Sequence, residues 1–343
     1  MKRLGNLYKN IYEFDNILLA YNEVLKNTHN KRRVENLREY KSVYISRIHN
    51  ILENQKYIVG PYNTFKIYDP KERQIVSQNV QDKIINHLVS RFILYPALLP
   101  CLLDVNVASR KNMGTHKGLE LANTFHKKCK IKYKSYYILK CDISKFFASI
   151  DHDILKQKLR RRIKDKDSLK IVFDIIDSNL KGLYIGSMTS QILAIFYLND
   201  LDHFIKETLK IKYYVRYQDD FLLFHHSKDY LNYCLKEIKA FLTKENLSLN
   251  RKTRIYKNTN NFLYLGRNTK GKYSRYRNVK RKLKARYYLY QNNKLSLNSF
   301  VSSVICYKQL CNTSSIFKIK KIALIIALPK NSNKLNSPSI NIY

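Results

Sequence analysis

From residue 1 to 60, apolar positions recur at helical spacing around the basic knot Lys31-Arg32-Arg33: Leu18, Leu19, Tyr21 and Leu25, then Val43, Ile45, Ile48, Ile51 and Leu52. That period predicts two or three helices, with the knot placed either to touch phosphates or as a solvated basic face. Between 62 and 76 the period becomes two, Phe65-Lys66-Ile67-Tyr68 and Arg73-Gln74-Ile75-Val76 flanking Asp69-Pro70-Lys71-Glu72, which predicts a hairpin. A helix is expected over 78–94, stopped by Pro96. Tyr136-Tyr137-Ile138-Leu139-Lys140-Cys141 reads as a strand. A helix over 191–209 places Leu193, Tyr197, Leu201, Phe204 and Thr208 on one inward face. Two further β-prone runs, Tyr213-Tyr214-Val215-Arg216-Tyr217 and Phe221-Leu222-Leu223-Phe224, enclose Gln218-Asp219-Asp220, so strand, acidic turn, strand is predicted. A helix over 229–244 follows, then the short apolar strand Phe262-Leu263-Tyr264-Leu265 closed by Gly266. The Asn/Ser/Pro-rich stretch 331–343 reads as a loose tail, and no internal repeat is present.

Two of these runs end in acids, at Asp142 and at Asp219-Asp220. Adjacent carboxylates repel and raise one another's pKa, a conflict that a divalent cation removes. Asp is also an ordinary turn residue, so a lone Asp-Asp reads first as a solvated turn. The third acid changes that reading. Three carboxylates at the ends of neighbouring strands suit a pair of metal ions, the arrangement used in phosphoryl and nucleotidyl transfer.

Other residues fit the same chemistry. Lys66 and Arg73 would stand on the arms of the predicted hairpin, where Arg suits a triphosphate, although each alone reads as a surface charge. Asn112-Met113-Gly114-Thr115-His116-Lys117-Gly118 is a Gly-punctuated basic loop of the kind that cradles a phosphate backbone, with His116 equally readable as structural. Phe146-Phe147 is either core or, at Phe147, a wall beside a nucleotide sugar whose bulk excludes a 2′-hydroxyl. Gly186 would let the backbone approach a base pair closely. Ser and Thr of the loop from Gly182 to Gln191 can cap the helix that follows.

Charge narrows the partner. The 343 residues carry 64 Lys+Arg against 26 Asp+Glu, a formal +38, which implies a polyanion, most simply nucleic acid. An AT-rich coding bias would account for abundant Lys, Asn, Ile and Tyr but not for so few acids. Cations and aromatics interleave in Lys280-Arg281-Lys282-Leu283-Lys284-Ala285-Arg286-Tyr287-Tyr288, a helix suited to a duplex backbone. The six Cys are scattered, and only Cys306 and Cys311 lie close together, without a zinc-site partner pair, so reduced thiols are expected. The N-terminus lacks a signal-peptide pattern and the apolar run 322–328 is too short to span a bilayer, so a cytoplasmic protein with no membrane partner is expected.

The order of these blocks over roughly 60–290 resembles a reverse transcriptase: the hairpin with Arg73, Asp142 to Phe147, Gly186 to Gln191, Tyr217-Gln218-Asp219-Asp220, Asn250 with Lys252, and Phe262 to Gly266. One Tyr-x-Asp-Asp proves little, whereas six blocks in sequence are specific. Ile185-Gly186-Ser187-Met188-Thr189-Ser190-Gln191, Gly114-Thr115-His116, Leu201-Asp202-His203-Phe204-Ile205-Lys206 and the layout from Asn6-Leu7-Tyr8 to Arg33 are similar to reverse transcriptases of diversity-generating retroelements. The same segments resemble their bacterial relatives, including group II intron and defence-associated enzymes. In that group the aliphatic residue at Ile185 goes with careless copying opposite template adenine, and Tyr184 stands where Pro is common.

The resemblance implies an α+β right hand: a helical extension over 1–60, fingers over 61–135, an antiparallel palm over 136–270, a helical thumb over 271–330 and the tail over 331–343. It implies RNA-directed DNA polymerase activity with two Mg²⁺ ions, bridged by Asp142 and Asp219, supported by Asp220 and completed by the Ile143 carbonyl. Arg73, helped by Lys66, would bind the triphosphate, and Lys252 would protonate or pair with pyrophosphate. Phe147, Ile185, Gly186 and Gln191 would line the nucleotide site, and Phe262 to Gly266 would grip the primer. Expected partners are an RNA template, an RNA/DNA duplex, dNTPs, a noncoding RNA and a small basic accessory protein. The residues after Gly266 suffice for a thumb but not for an added nuclease or integrase domain. Two alternatives remain at this stage: an antiphage enzyme making DNA from a noncoding RNA or without a template, and a non-catalytic RNA-binding scaffold.

Overall fold

The structure, a computed structural model, describes residues 3–67, 73–268 and 276–309, and its chain divides into two units, Met1–Asn260 and Asn261–Tyr343. The first unit opens with a 3₁₀ turn, Tyr8–Ile11, and three helices, α1 (Phe14–Lys26), α2 (Lys31–Glu39) and α3 (Lys41–Glu53). α1 buries Ile17, Ala20, Tyr21 and Val24, an i, i+3, i+4, i+7 stripe, which leaves Leu19 outside. Asn30 caps α2 by accepting the Arg33 N–H, and the basic knot at its start is exposed.

The expected hairpin is β1 (Asn63–Ile67) and β2 (Arg73–Ser77), paired antiparallel with Lys66 opposite Gln74 and Ile67 opposite Arg73. Its predicted turn, Asp69 to Glu72, lies outside the described residues. Asn79 then caps α4 (Val80–Val89).

The helix does not stop before Pro96, contrary to the sequence expectation. A π turn, Ser90–Leu94, lets the Tyr95 N–H reach back to Ser90 O, and Pro96 falls in the first turn of α5 (Tyr95–Leu98), where a missing N–H costs nothing. By length and mean hydropathy, 1.3, Val80–Cys101 would cross a membrane, but 61% of that window is buried within the protein. Its apolar residues, Ile84, Ile85, Leu88, Ile93, Leu94 and Leu98 among them, are core.

Next come α6 (Thr115–Tyr133), β3 (Tyr137–Asp142), the single turn α7 (Phe146–Ser149), α8 (His152–Arg160) and α9 (Lys166–Asp177). α8 and α9, capped by Asp151 and Asp165, have no counterpart in the sequence reading. The helix expected over 191–209 is in fact three pieces, α10 (Met188–Tyr197), α11 (Asn199–His203) and a π turn, Phe204–Thr208, interrupted at Leu198. β4 (Tyr213–Tyr217) and β5 (Asp220–His225) follow, then α12 (Lys228–Lys244) and β6 (Arg254–Lys257).

The four central strands form one antiparallel sheet in the order β4-β5-β3-β6, against which α6 and α12 pack. Helices and an antiparallel sheet share one core, so the architecture is α+β.

The second unit holds the two-residue hairpin β7 (Leu263–Tyr264) and β8 (Arg267–Asn268), then α13 (Tyr276–Gln291) and α14 (Leu297–Gln309). The hairpin turns through Leu265 and Gly266, both at positive φ. A small core of Leu283, Phe300 and Val304, with Tyr290 stacked on Phe300 at 5.6 Å, joins the two helices. The predicted tail over 331–343, and 310–330 of the expected thumb, lie outside the described residues. Cys101, Cys129, Cys141 and Cys234 are buried free thiols, whereas the side chains of Cys306 and Cys311 are not among those described.

Candidate active site

The register of two strands assembles the site. β3 and β5 pair so that Asp142 stands directly opposite Asp220, and opposed Cα atoms in such a ladder are about 4.5–5.5 Å apart. Tyr217 pairs with Asp220 across β4 and β5, leaving Gln218 and Asp219 as a two-residue turn. Such a turn requires positive φ, and Gln218 adopts +54°, a conformation costing a non-glycine residue on the order of 1 kcal/mol. Ile143 continues the ladder by donating its N–H to Asp219 O at 3.2 Å.

On the other side, Asn250 N–H donates to Asp142 O at 2.6 Å and opens a tight turn. In that turn Lys252 N–H bonds Asn250 Oδ1 at 3.1 Å, so the exposed Lys252 side chain projects from a segment pinned to Asp142.

Burial pushes the Asp220 carboxyl up to about 7; the Lys140 ammonium opposes this, and the Asp142 and Asp219 charges reinforce it. Lys140 Nζ lies 3.4 Å from Asp220 Oδ2, while the buried Oδ1 has no hydrogen-bond partner. An orphaned buried acceptor beside two more carboxylates is a set of oxygen donors suited to a hard divalent cation. Among the described residues no three His, Cys, Asp or Glu side chains converge as a ready-made metal cage. A divalent cation here would be held by one or two of the carboxylates and completed by phosphate oxygens and waters.

A buried ion pair, unforeseen in the sequence, sits behind this turn. Arg216 and Asp202 are both fully buried, and the guanidinium holds both carboxylate oxygens, through Nε to Oδ1 at 2.7 Å and through Nη2 to Oδ2. Tyr214 Oη donates to the same Oδ1 at 2.6 Å. Arg216 gives two further donors to Gln218 O at 3.1 Å and Ile195 O at 3.1 Å, which ties the acidic turn to α10. The available signal was a charged residue in the middle of an otherwise buried strand.

Gln218 Nε2 also donates to Ser109 Oγ at 2.9 Å, and Ser109 Oγ donates to Gln191 Oε1 at 3.3 Å. Gln191 is thus linked to the acidic turn.

The loop before α10 is joined to the hairpin. Val76 N–H donates to Ile185 O at 3.1 Å, and Gly186, at φ +119°, packs where a Cβ would lie 2.9 Å from Val76 O. Ser187 and Thr189 do not cap α10, as the sequence suggested; both hydroxyls turn to Asn86 Oδ1, at 3.0 and 2.6 Å. Asn86 is a further residue that sequence reasoning missed.

Phe147 is partly buried on α7, its ring tilted 69° to that of Phe146, with centroids 5.7 Å apart. Lys66 and Arg73 occupy the ends of β1 and β2, but their side chains lie outside the described residues. The structure therefore brings together Asp142, Ile143, Asp219, Asp220 and the turn bearing Lys252. It places Ile185 and Gly186 against β2. Phe262 to Gly266 belong to the second unit.

The profile of the reverse transcriptase (RNA-dependent DNA polymerase) family matches residues 66–269, which include every strand of this sheet and all three acids. The chain belongs to the reverse transcriptase family. Two relatives are intron proteins of fungi: the COX1/OXI3 intron 1 protein of Saccharomyces cerevisiae, 25% identical over 224 residues (60% of this chain and 26% of the relative), and a 91 kDa protein in the cob intron of Schizosaccharomyces pombe, 26% identical over 225 residues (61% and 27%). This reverse transcriptase spans about a quarter of the length of those relatives. A solved telomerase from Candida albicans, in complex with a TWJ fragment of telomeric RNA, superposes with a TM-score of 0.50 at 14% identity. That match covers 84% of this chain and 59% of the telomerase, and shows that the α+β polymerase fold is shared.

Proposed function

We propose that this reverse transcriptase extends a primer 3′-hydroxyl with dNTPs on an RNA template. The observation that carries the reading is the pairing of Asp142 opposite Asp220 with Asp219 on the adjoining turn. Asp142 and Asp219 would hold two Mg²⁺ ions, with Asp220 and the Ile143 carbonyl in support. When bound, such ions lower the pKa of the attacking hydroxyl and neutralise the leaving pyrophosphate.

The chain's own groups do the rest. Arg216 and Ser109 hold the acidic turn still, since a small misplacement of reacting atoms costs large factors in rate. Arg73 and Lys66, on the arms of the hairpin, would meet the triphosphate. Lys252 would deliver a proton to pyrophosphate or pair with it. Phe147 would wall off the sugar 2′ position, Gly186 would leave room for the nascent base pair, and Phe262 to Gly266 would steady the primer end.

Primer extension on an RNA template tests this reading. Asp142→Ala or Asp219→Ala should abolish incorporation and leave RNA affinity within about twofold of wild type. Wild-type extension by either variant would refute the assignment.

We further propose a template dedicated to a diversity-generating retroelement, copied with help from a small basic accessory protein and a noncoding RNA. The aliphatic residue at Ile185, next to Gly186, supports this reading. Sequencing the RNA and nascent DNA that copurify with the protein tests it. Products rich in substitutions at template adenines are expected, whereas repetitive or untemplated DNA would replace the reading with an antiphage role.

A further inference from the structure

We infer that Gly182 is a positioning residue for sugar selection, latching the backbone of Phe147 so that its ring stands at the height needed to exclude a 2′-hydroxyl. This rests on the proposed reading of Phe147 as the wall beside the nucleotide sugar.

α7, which carries Phe147, is a single turn, Phe146–Ser149. One turn has little stability of its own, so its position must be set from outside. The outside tether is the Leu183 N–H, which donates to Phe147 O at 2.7 Å. The bond is possible because Gly182 lies flat against the turn. A Cβ there would stand 2.4 Å from Phe147 O, 2.6 Å from Ala148 Cα and 2.7 Å from Ala148 C, all of them backbone atoms. Gly182 also has φ +69°, a region costly for any other residue. Both the missing side chain and the backbone conformation are needed for the contact.

The latch is itself braced. His152 Nε2–H donates to Gly182 O at 2.7 Å, while its Nδ1 faces Asp177 Oδ1 at 3.4 Å. Lys156 Nζ holds Asp177 at 2.6 Å. His152 and Asp177 are the first residue of α8 and the last of α9. The gate residue is thus fixed by two helices outside the sheet that carries the acids. Gly182 and Leu183 touch the Phe147–Ala148 backbone directly, so a shift at Gly182 is passed to Phe147.

The test compares kcat/KM for a dNTP with that for the matching rNTP, on one primer and template, for wild type, Phe147→Ala, Gly182→Ala and His152→Ala. The ratio is independent of how much of each preparation is folded, which a merely structural role would not move. Phe147→Ala is expected to lose most of the preference for dNTP. Gly182→Ala should lower it by about tenfold, the scale at which a pocket wall discriminates a small group. His152→Ala, which leaves Gly182 in place but unbraced, should lower it by a smaller factor of about three. If Gly182→Ala does not fold, His152→Ala decides alone. A wild-type ratio in the Gly182 and His152 variants, alongside a lost preference in Phe147→Ala, overturns the latch and spares the gate. A wild-type ratio in Phe147→Ala overturns the gate and the latch with it.

Discussion

Arg216 illustrates at the scale of one residue how much of this site lies beneath its acids. Breaking a buried pair leaves a charge with neither water nor partner. Arg216→Ala should therefore cost about 3–5 kcal/mol in urea unfolding, and Arg216→Lys should restore little, because an ammonium cannot span both Asp202 oxygens and still reach Gln218 O. The double variant Asp202→Leu/Arg216→Met should recover most of the stability but not the rate, since the acidic turn then loses the guanidinium bond to Gln218 O.

His126 gives the pH dependence. Burial lowers its pKa to about 4, so above the ordinary value of 6.5 both folded and unfolded states are neutral. As pH falls from about 6.5 to 4, only the unfolded state takes up a proton readily. The His126 contribution to stability should drop over that window by on the order of 2–3 kcal/mol, against an opposing gain from the raised Asp220 carboxyl. Measured side by side, wild type should therefore lose stability relative to His126→Phe as pH falls from 6.5 to 4.

Among single residues, what the sequence made legible followed from side-chain type and place. Asp142, Asp219 and Asp220 are acids that close β-prone runs, and those runs are strands. The Arg216–Asp202 pair was hidden because its members belong to different elements. Nothing local in Asp202 says that a guanidinium from β4 will cover it.

At the scale of elements, the hairpin and the loop before α10 act as one piece, joined through Val76 N–H and Ile185 O. Gly186→Ala would drive a Cβ into Val76 O at 2.9 Å, so the hairpin must give way. The expected result in single-nucleotide kinetics is at least a tenfold loss of dNTP incorporation, with RNA binding unchanged. Periodicity found the hairpin, β3, β4, β5 and α12, where a regular pattern matched a regular element. It misjudged α4, where a π turn absorbs Pro96, and α10, which starts three residues early because Ser187 and Thr189 serve Asn86 instead of a cap. It missed α8 and α9, although Asp151 and Asp165 stand there as N-caps and α9 buries the helical stripe Leu169, Val172, Ile175 and Ile176. At α10 a contact from a distant element outweighed local pattern, whereas α8 and α9 carried a local signal that was not read.

At the scale of the whole molecule, a formal charge of +38 would govern how the proposed RNA template is held. With 6–10 phosphate contacts, affinity for RNA should fall by about 10³–10⁵ between 50 and 200 mM salt, linear on logarithmic axes. Asp142→Asn should leave that slope unchanged in a filter-binding titration, because on the proposed reading the acids serve chemistry and the surface cations serve binding.

The most direct measurement is the number of Mn²⁺ ions held by the enzyme on a primer and RNA template with a non-reactive dNTP analogue, counted by electron paramagnetic resonance. Two ions per chain are expected for wild type, falling to one or none in Asp142→Asn with extension abolished. An undiminished count in that variant, with extension intact, would contradict the account.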